Sequence, residues 1–211
     1  MSFLSIPFHN LIDITMKILD TRDPYTFTHS WRVAGMSEKV AQLLGLDSEY
    51  IEIIHVAAHL HDMGKIGIPD AILNKTSSLS DREYESMKTH SMKGFEIAKK
   101  IEILQGVSDY ILYHHERWDG GGYPEGLCGR AIPLGSRIIA VADSFDAITS
   151  SRTYRQGRSY EEAFKEIERC RGQQFCPDTV DVFLDNQDEI IEVIEAANLE
   201  IEQHKTDYVY K

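Results

Sequence analysis

The segment LGSRIIAVADSFDAITS, residues 134–150, constrains the fold more than any other stretch of the chain. Read at a helical period it is apolar nearly all round, and it follows Pro133, a residue suited to the start of a helix. A helix of that kind has to be wrapped by other elements, and the rest of the sequence offers helices for the purpose. Apolar residues recur every three or four positions almost throughout, while alternating, strand-like runs are scarce. The fold class is therefore all-α, a helical bundle built around residues 134–150 with helical extensions at both ends.

Local signals divide the chain. Residues 9–21 read as an amphipathic helix, and a second runs from about Thr28 to Leu44, stopped by Gly45. Ser48 can cap a third, whose Ile51, Ile54, Ala57, Ala58 and Leu60 make a wide apolar face ending near Gly64. Ser80 and Glu83 form a capping box for a helix reaching about Lys100, and a further helix spans roughly Gly106 to Arg117. Ser159 and Glu162 repeat the box for a helix that ends near Gly172, and Pro177 opens a short one. From Asp188 to about Lys205 a stripe of Ile190, Val193, Ile194, Ala197 and Ile201 predicts a long last helix. We expect an N-terminal helical extension over 1–22, a main domain over 23–185 and a C-terminal helix over 186–211. The terminal helices either pack on the domain or serve a homodimer or a regulatory protein.

The formal charge of −12 argues against a nucleic-acid polymer as partner, because a phosphate backbone needs a basic surface. A small phosphorylated ligand stays compatible, since a few cations reverse the potential inside one pocket. No apolar run is long enough for a bilayer and MSFLSIPFHN lacks the features of a secretory signal, so no membrane role is expected. The three cysteines, Cys128, Cys170 and Cys176, contain no CxxC pair, which favours a reducing cytoplasm.

Chemistry gathers at a few points. His29 follows DPYTFT, His61-Asp62 closes the apolar third helix with Lys65 one turn on, and His90 lies inside the capped fourth. His114 and His115 open HHERWDGGGYPEG, and Asp143 stands among Ile138, Ile139, Val141, Ala142 and Phe145. Taken singly, each histidine reads as an ordinary hydrogen-bonded residue and Lys65 as a solvated one. Asp143 does not, because a carboxylate in such company costs several kcal/mol unless a cation or donors compensate. Neighbouring helical residues point about 100° apart, so His114 and His115 cannot share one core face. A metal centre explains all of these positions at once. Imidazole and carboxylate without thiolate favour iron or manganese over a structural zinc cage. Five histidines and two aspartates exceed one tetrahedral site, and two divalent ions bridged by Asp62 or Asp143 fit better.

The same residues resemble the HD-GYP family of HD-domain phosphohydrolases, named for a pair that stands here as His61-Asp62 and a triplet that stands here as Gly122-Tyr123-Pro124. The likeness runs through HLHDMGKIGIPDAILNK, KTHSMKGFEIAK, HHERWDGGGYPEGLCG, IPLGSRIIAVADSFDAITSSRTYR and RGQQFCPDTV, over about residues 20–185. It implies a metal-dependent phosphodiesterase that hydrolyses cyclic di-GMP to pGpG, with GMP as the product of a further cleavage. Carried over, it implies His29, His61, Asp62, His90, His114, His115 and Asp143 as metal ligands and Asp62 and Lys65 at the reacting phosphate. It further implies Arg152 and Arg155 on the substrate phosphates, with Gly122, Tyr123 and Pro124 bordering the pocket. Two positions depart from the pattern. Tyr25 stands where some members carry a third-metal glutamate, so two metals are expected, and Cys176 replaces the usual aspartate before Pro177. The alternatives are an HD phosphohydrolase for another nucleotide, such as cyclic GMP-AMP, and a non-catalytic module that binds cyclic di-GMP.

Overall fold

A computed structural model describes residue 12, residues 26–151 and residues 156–209, with side chains placed for 12, 28–151 and 156–199. The helix expected over 9–21, Tyr25, Arg152 and Arg155 fall outside these residues, save Ile12, which is helical and buried. The described elements are α1 (Thr26–Leu43), α2 (Ser48–Leu60), α3 (Asp70–Leu73), α4 (Asp81–Lys99), α5 (Ser108–Tyr113), α6 (Leu134–Thr149), α7 (Tyr160–Arg169), α8 (Pro177–Asp185) and α9 (Gln187–Val209). Short 3₁₀ turns cover Met63–Gly67, Glu102–Val107 and Gly129–Ala131. Among the described residues there is no β-strand beyond two isolated bridges.

α6 is the central element, as its all-round apolar sequence demands. Its Ile138, Ile139, Val141, Ala142 and Phe145 are buried, and α1 and α5 pack on it together with α7 and α8. Phe145 meets Phe164 of α7 at 4.6 Å and Phe183 of α8 at 5.1 Å between ring centroids. Each such side chain, fully buried, contributes about 1.5–3 kcal/mol. α9 lies along α1, with Ile190 and Ile194 in the core. The helices come close there: a Cβ on Gly35 would stand 2.9 Å from the Val193 side chain. The stripe thus packs on the domain from Ile190 to Ala197.

Both capping boxes form. Ser80 accepts from the Glu83 amide while the Glu83 carboxylate takes the Ser80 amide, and Ser159 with Glu162 repeats the exchange. Three expectations change. The cap of α2 is Asp47, whose Oδ1 accepts from Tyr50 N at 2.9 Å, and Ser48 is the first helical residue. α2 also stops at Leu60, so His61-Asp62 occupies a turn leading into the 3₁₀ segment.

The helix expected over Gly106–Arg117 is shorter and mixed, a 3₁₀ turn followed by the six residues of α5. It ends at Tyr113 because backbone groups beyond it are taken by distant partners. Trp118 N donates to Gln174 O, and Tyr123 N donates to His115 O. Among the described residues no helix is long and apolar enough to cross a membrane, and Cys128, Cys170 and Cys176 are free thiols.

Candidate metal centre

Five separate elements deliver the polar residues. α1 brings His29, the α2 end brings His61 and Asp62, α4 brings His90, the α5 end brings His114 and His115, and α6 brings Asp143. The approach is tight. A Cβ on Gly64 would lie 1.9 Å from His90 O and 2.4 Å from Gly94 N, so only glycine lets the His-Asp turn seat on α4. His29, His61, Asp62, His90 and His114 are all buried.

They converge as two groups. Asp62, His90, His114 and His115 each offer a ligand atom within 4.8 Å of the others, and so do His29, His61 and Asp143. Asp62 spans both groups: its Oδ2 lies 3.4 Å from His61 Nε2 and 3.8 Å from His29 Nε2, and its Oδ1 lies 3.4 Å from His90 Nε2. His114 and His115 fall in one group and are not divided between two. Their rings are 4.0 Å apart, an arrangement allowed because the helix unwinds beneath them.

The backbone settles which nitrogens face inward. His61 Nδ1 meets Ala58 O at 2.6 Å, His90 Nδ1 meets Met87 O at 2.9 Å, and His114 Nδ1 meets Ile111 O at 2.7 Å. A carbonyl only accepts, so each Nδ1 carries the proton and each Nε2 presents a lone pair to the centre. His90 Nε2 and His114 Nε2 are 3.3 Å apart, and His61 Nε2 is buried without a hydrogen-bond partner. Facing lone pairs repel unless a cation or proton stands between them. The donor set therefore fits divalent metal ions, with the bonds from each Nδ1 to a backbone carbonyl already orienting the rings.

Electrostatics separate the two groups. Burial pushes His90 and His114 down and takes His115 to about 3, so these three rings are neutral. Burial also acts against charge on His29, but hydrogen bonds and attraction from Asp143 and Asp146 prevail and raise it to about 9. Burial opposes the charge on Asp62 as well, yet the Lys65 ammonium holds its carboxyl well below the usual range. Lys65 Nζ donates to Asp62 Oδ2 at 2.6 Å, a contact the 3₁₀ turn makes natural because residues three apart eclipse.

The sequence reading missed Asp146 and Arg32. Asp146 is the more deeply buried α6 carboxylate, its side chain 1% exposed against 18% for Asp143. Its Oδ2 accepts from His29 Nδ1 at 2.7 Å, while Arg32 Nε donates to Oδ1 and Arg32 Nη2 to Oδ2 at 3.1 Å. The signal was legible: Asp143 and Asp146 stand three apart on one helix, as do His29 and Arg32.

The glycine-rich loop closes one side. Tyr123 lies on His115 with centroids 4.8 Å apart and planes tilted by 32°. Of the three glycines, Gly120 has a positive φ of 80°, whereas Gly122 is required for room. A Cβ there would meet Arg117 N at 2.4 Å and His115 O at 2.6 Å. Glu116 secures the far end of the loop, its Oε1 accepting from Glu125 N at 2.8 Å and Gly126 N at 3.0 Å. At the departing position Cys176, the thiol is buried and Arg137 Nη1 lies 3.4 Å from its sulfur.

Comparison with known proteins bears on this geometry. The HD domain family model matches residues 13–178. The chain is 44% identical over 185 residues to a cyclic di-GMP phosphodiesterase of Thermotoga maritima, covering 87% of this chain and 50% of that one. It is 42% identical over 170 residues to the cyclic di-GMP phosphodiesterase response regulator RpfG of Xanthomonas campestris, covering 80% and 45%. It thus spans about half the length of these relatives. Among solved structures, a cyclic GMP-AMP specific phosphodiesterase of Vibrio cholerae (V-cGAP3) shares the fold with a TM-score of 0.66 at 21% identity, over 92% of this chain and 52% of that one.

Proposed function

The chain belongs to the HD domain family, in its HD-GYP branch, and from that premise we propose that it is a phosphodiesterase that hydrolyses cyclic di-GMP to the linear dinucleotide pGpG, with onward cleavage to GMP open to the same centre. The observation that carries this reading is the set of inward-facing Nε2 atoms sharing one buried space with Asp62 and Asp143. It is supported by the relatives, which are cyclic di-GMP phosphodiesterases.

In this reading His29, His61, Asp62, His90, His114, His115 and Asp143 hold two divalent ions, iron or manganese. When bound, such ions make water nucleophilic at neutral pH and offset charge on the phosphate oxygens. The chain's own residues do the rest. Asp62 spans the two groups and fixes their separation. Lys65 Nζ, held by its hydrogen bond to Asp62, brings positive charge to the phosphate or the leaving oxygen. Tyr123 covers His115 and keeps water from that side, and Gly122 and Pro124 shape the mouth. Arg152 and Arg155 grip the phosphates with their guanidinium forks. Residues 23–185 form the catalytic domain in this account, working in a reducing cytoplasm that suits three free thiols.

The test is direct. Protein purified anaerobically and reconstituted with iron or manganese should convert cyclic di-GMP to pGpG. Turnover confined to another cyclic nucleotide would transfer the proposal to that substrate. Tight binding without turnover under either metal would make the protein a sensor.

A further inference from the structure

Beyond the inward-facing cluster, α4 carries a second set of groups along its outer face. Tyr84 and Lys88 stand four apart, so they share one side of the helix. Tyr84 is one of the most exposed large apolar side chains among the described residues, at 51%. The Lys88 ammonium lies 5.5 Å from the Tyr84 ring centroid and 5.6 Å from that of Tyr123. It is thus held between an open aromatic face and the ring that covers His115. Glu85 takes one of its protons at 2.6 Å, but that carboxylate is 67% exposed, so the pair is screened and leaves the ammonium available.

An exposed tyrosine face next to a cation fits one kind of ligand group, a flat heterocycle with acceptors along its edge. Bases stack on aromatic rings, while an ammonium distinguishes purines. Guanine offers O6 and N7, two adjacent acceptors, whereas adenine pairs N7 with a donor amine that opposes a cation. We propose that Tyr84 and Lys88 form the base-reading rim of this site, Tyr84 stacking a guanine and Lys88 donating to its O6/N7 edge. The inference rests on the reading of the chain as a cyclic-dinucleotide hydrolase. It adds the residues that choose the purine, a choice the sequence motifs leave open.

The experiment compares wild type, Lys88→Met, Tyr84→Ala and Tyr84→Phe as full chains loaded with metal. Each is assayed for kcat and KM on cyclic di-GMP, cyclic GMP-AMP and cyclic di-AMP, and for metal content. Lys88→Met should raise KM for cyclic di-GMP about tenfold with kcat kept within about twofold, and should erode the preference for guanine over adenine. Tyr84→Ala should raise KM by about tenfold for all three substrates, and Tyr84→Phe should restore it, because only the ring face is used. Unchanged KM values in Lys88→Met and Tyr84→Ala, with wild type active, would overturn the rim and leave the hydrolase standing. So would losses of kcat that track lost metal. Should wild type bind cyclic di-GMP without turning it over, the same ratios are read from dissociation constants, and the rim can hold where the hydrolase fails. Absence of both binding and turnover with all three compounds would overturn both.

Discussion

The two halves of the centre solve one problem by opposite means. Around Asp62, the rings of His90 and His114 are backed by main-chain carbonyls and, with His115, are kept neutral by burial. Around Asp143, His29 is clasped between two carboxylates, Asp143 at 3.2 Å from Nε2 and Asp146 at 2.7 Å from Nδ1. That ring is a cation in the metal-free protein. The first half presents ready lone pairs throughout; the second presents one at His61, backed by Ala58 O, and holds a positive charge at His29 until a metal replaces it. Carbonyls orient a ring without altering its charge state, whereas a carboxylate both orients and charges it.

Removing the residue common to both halves should have the largest effect. Asp62→Ala withdraws a ligand from each and removes the carboxylate that Lys65 holds at 2.6 Å. Hydrolysis should fall by at least about a thousandfold and both metals should be lost, with far-UV circular dichroism unchanged. Loss of only one metal equivalent would show that the halves are independent.

Asp146→Asn tests the carboxylate-backed half alone. The amide keeps the shape but removes the charge behind both His29 and Arg32. Metal affinity should drop about 10–100-fold at the Asp143 half and stay level at the other, read by competitive chelator titration. Equal losses at both would erase the distinction.

What the sequence revealed of these halves follows from the range of each interaction. Both capping boxes were legible because every partner lies within three residues. The start of α2 was displaced by one position because Asp47 and Ser48 are both competent caps, and the choice depends on where the chain turns helical. The truncation of α5 was hidden, since Leu104, Val107, Ile111 and Leu112 keep a helical period while bonds to Gln174 and Tyr123 decide where the helix ends. That ending also brings His114 and His115 into one group, where a continuous helix would have splayed them. The desolvation argument pointed to Asp143 and was correct about the helix, but its greater force fell on Asp146, one turn on. The role of Gly122 came from a contact with Arg117 and His115 that only the folded loop makes.

The smallest expected effect is also the sharpest measure of the difference. To act as a ligand, His29 must shed the proton that its two carboxylates hold up to about 9, whereas His115, held near 3, has none to lose at neutral pH. His90 and His114 are lowered in the same sense. The sign follows: below about 9 protons compete with metal at the Asp143 half, so affinity there rises about tenfold per pH unit and levels off once His29 is neutral. At the Asp62 half it should change far less with pH, because burial favours the neutral form of all three of its rings. Calorimetric titration at pH 7 in buffers of different ionisation enthalpy should therefore count about one proton released for the whole centre, all of it with the metal that binds beside Asp143. Release shared between both binding steps would mean that the carbonyl-backed rings are protonated too, and that burial in this pocket is a weaker force than the geometry implies.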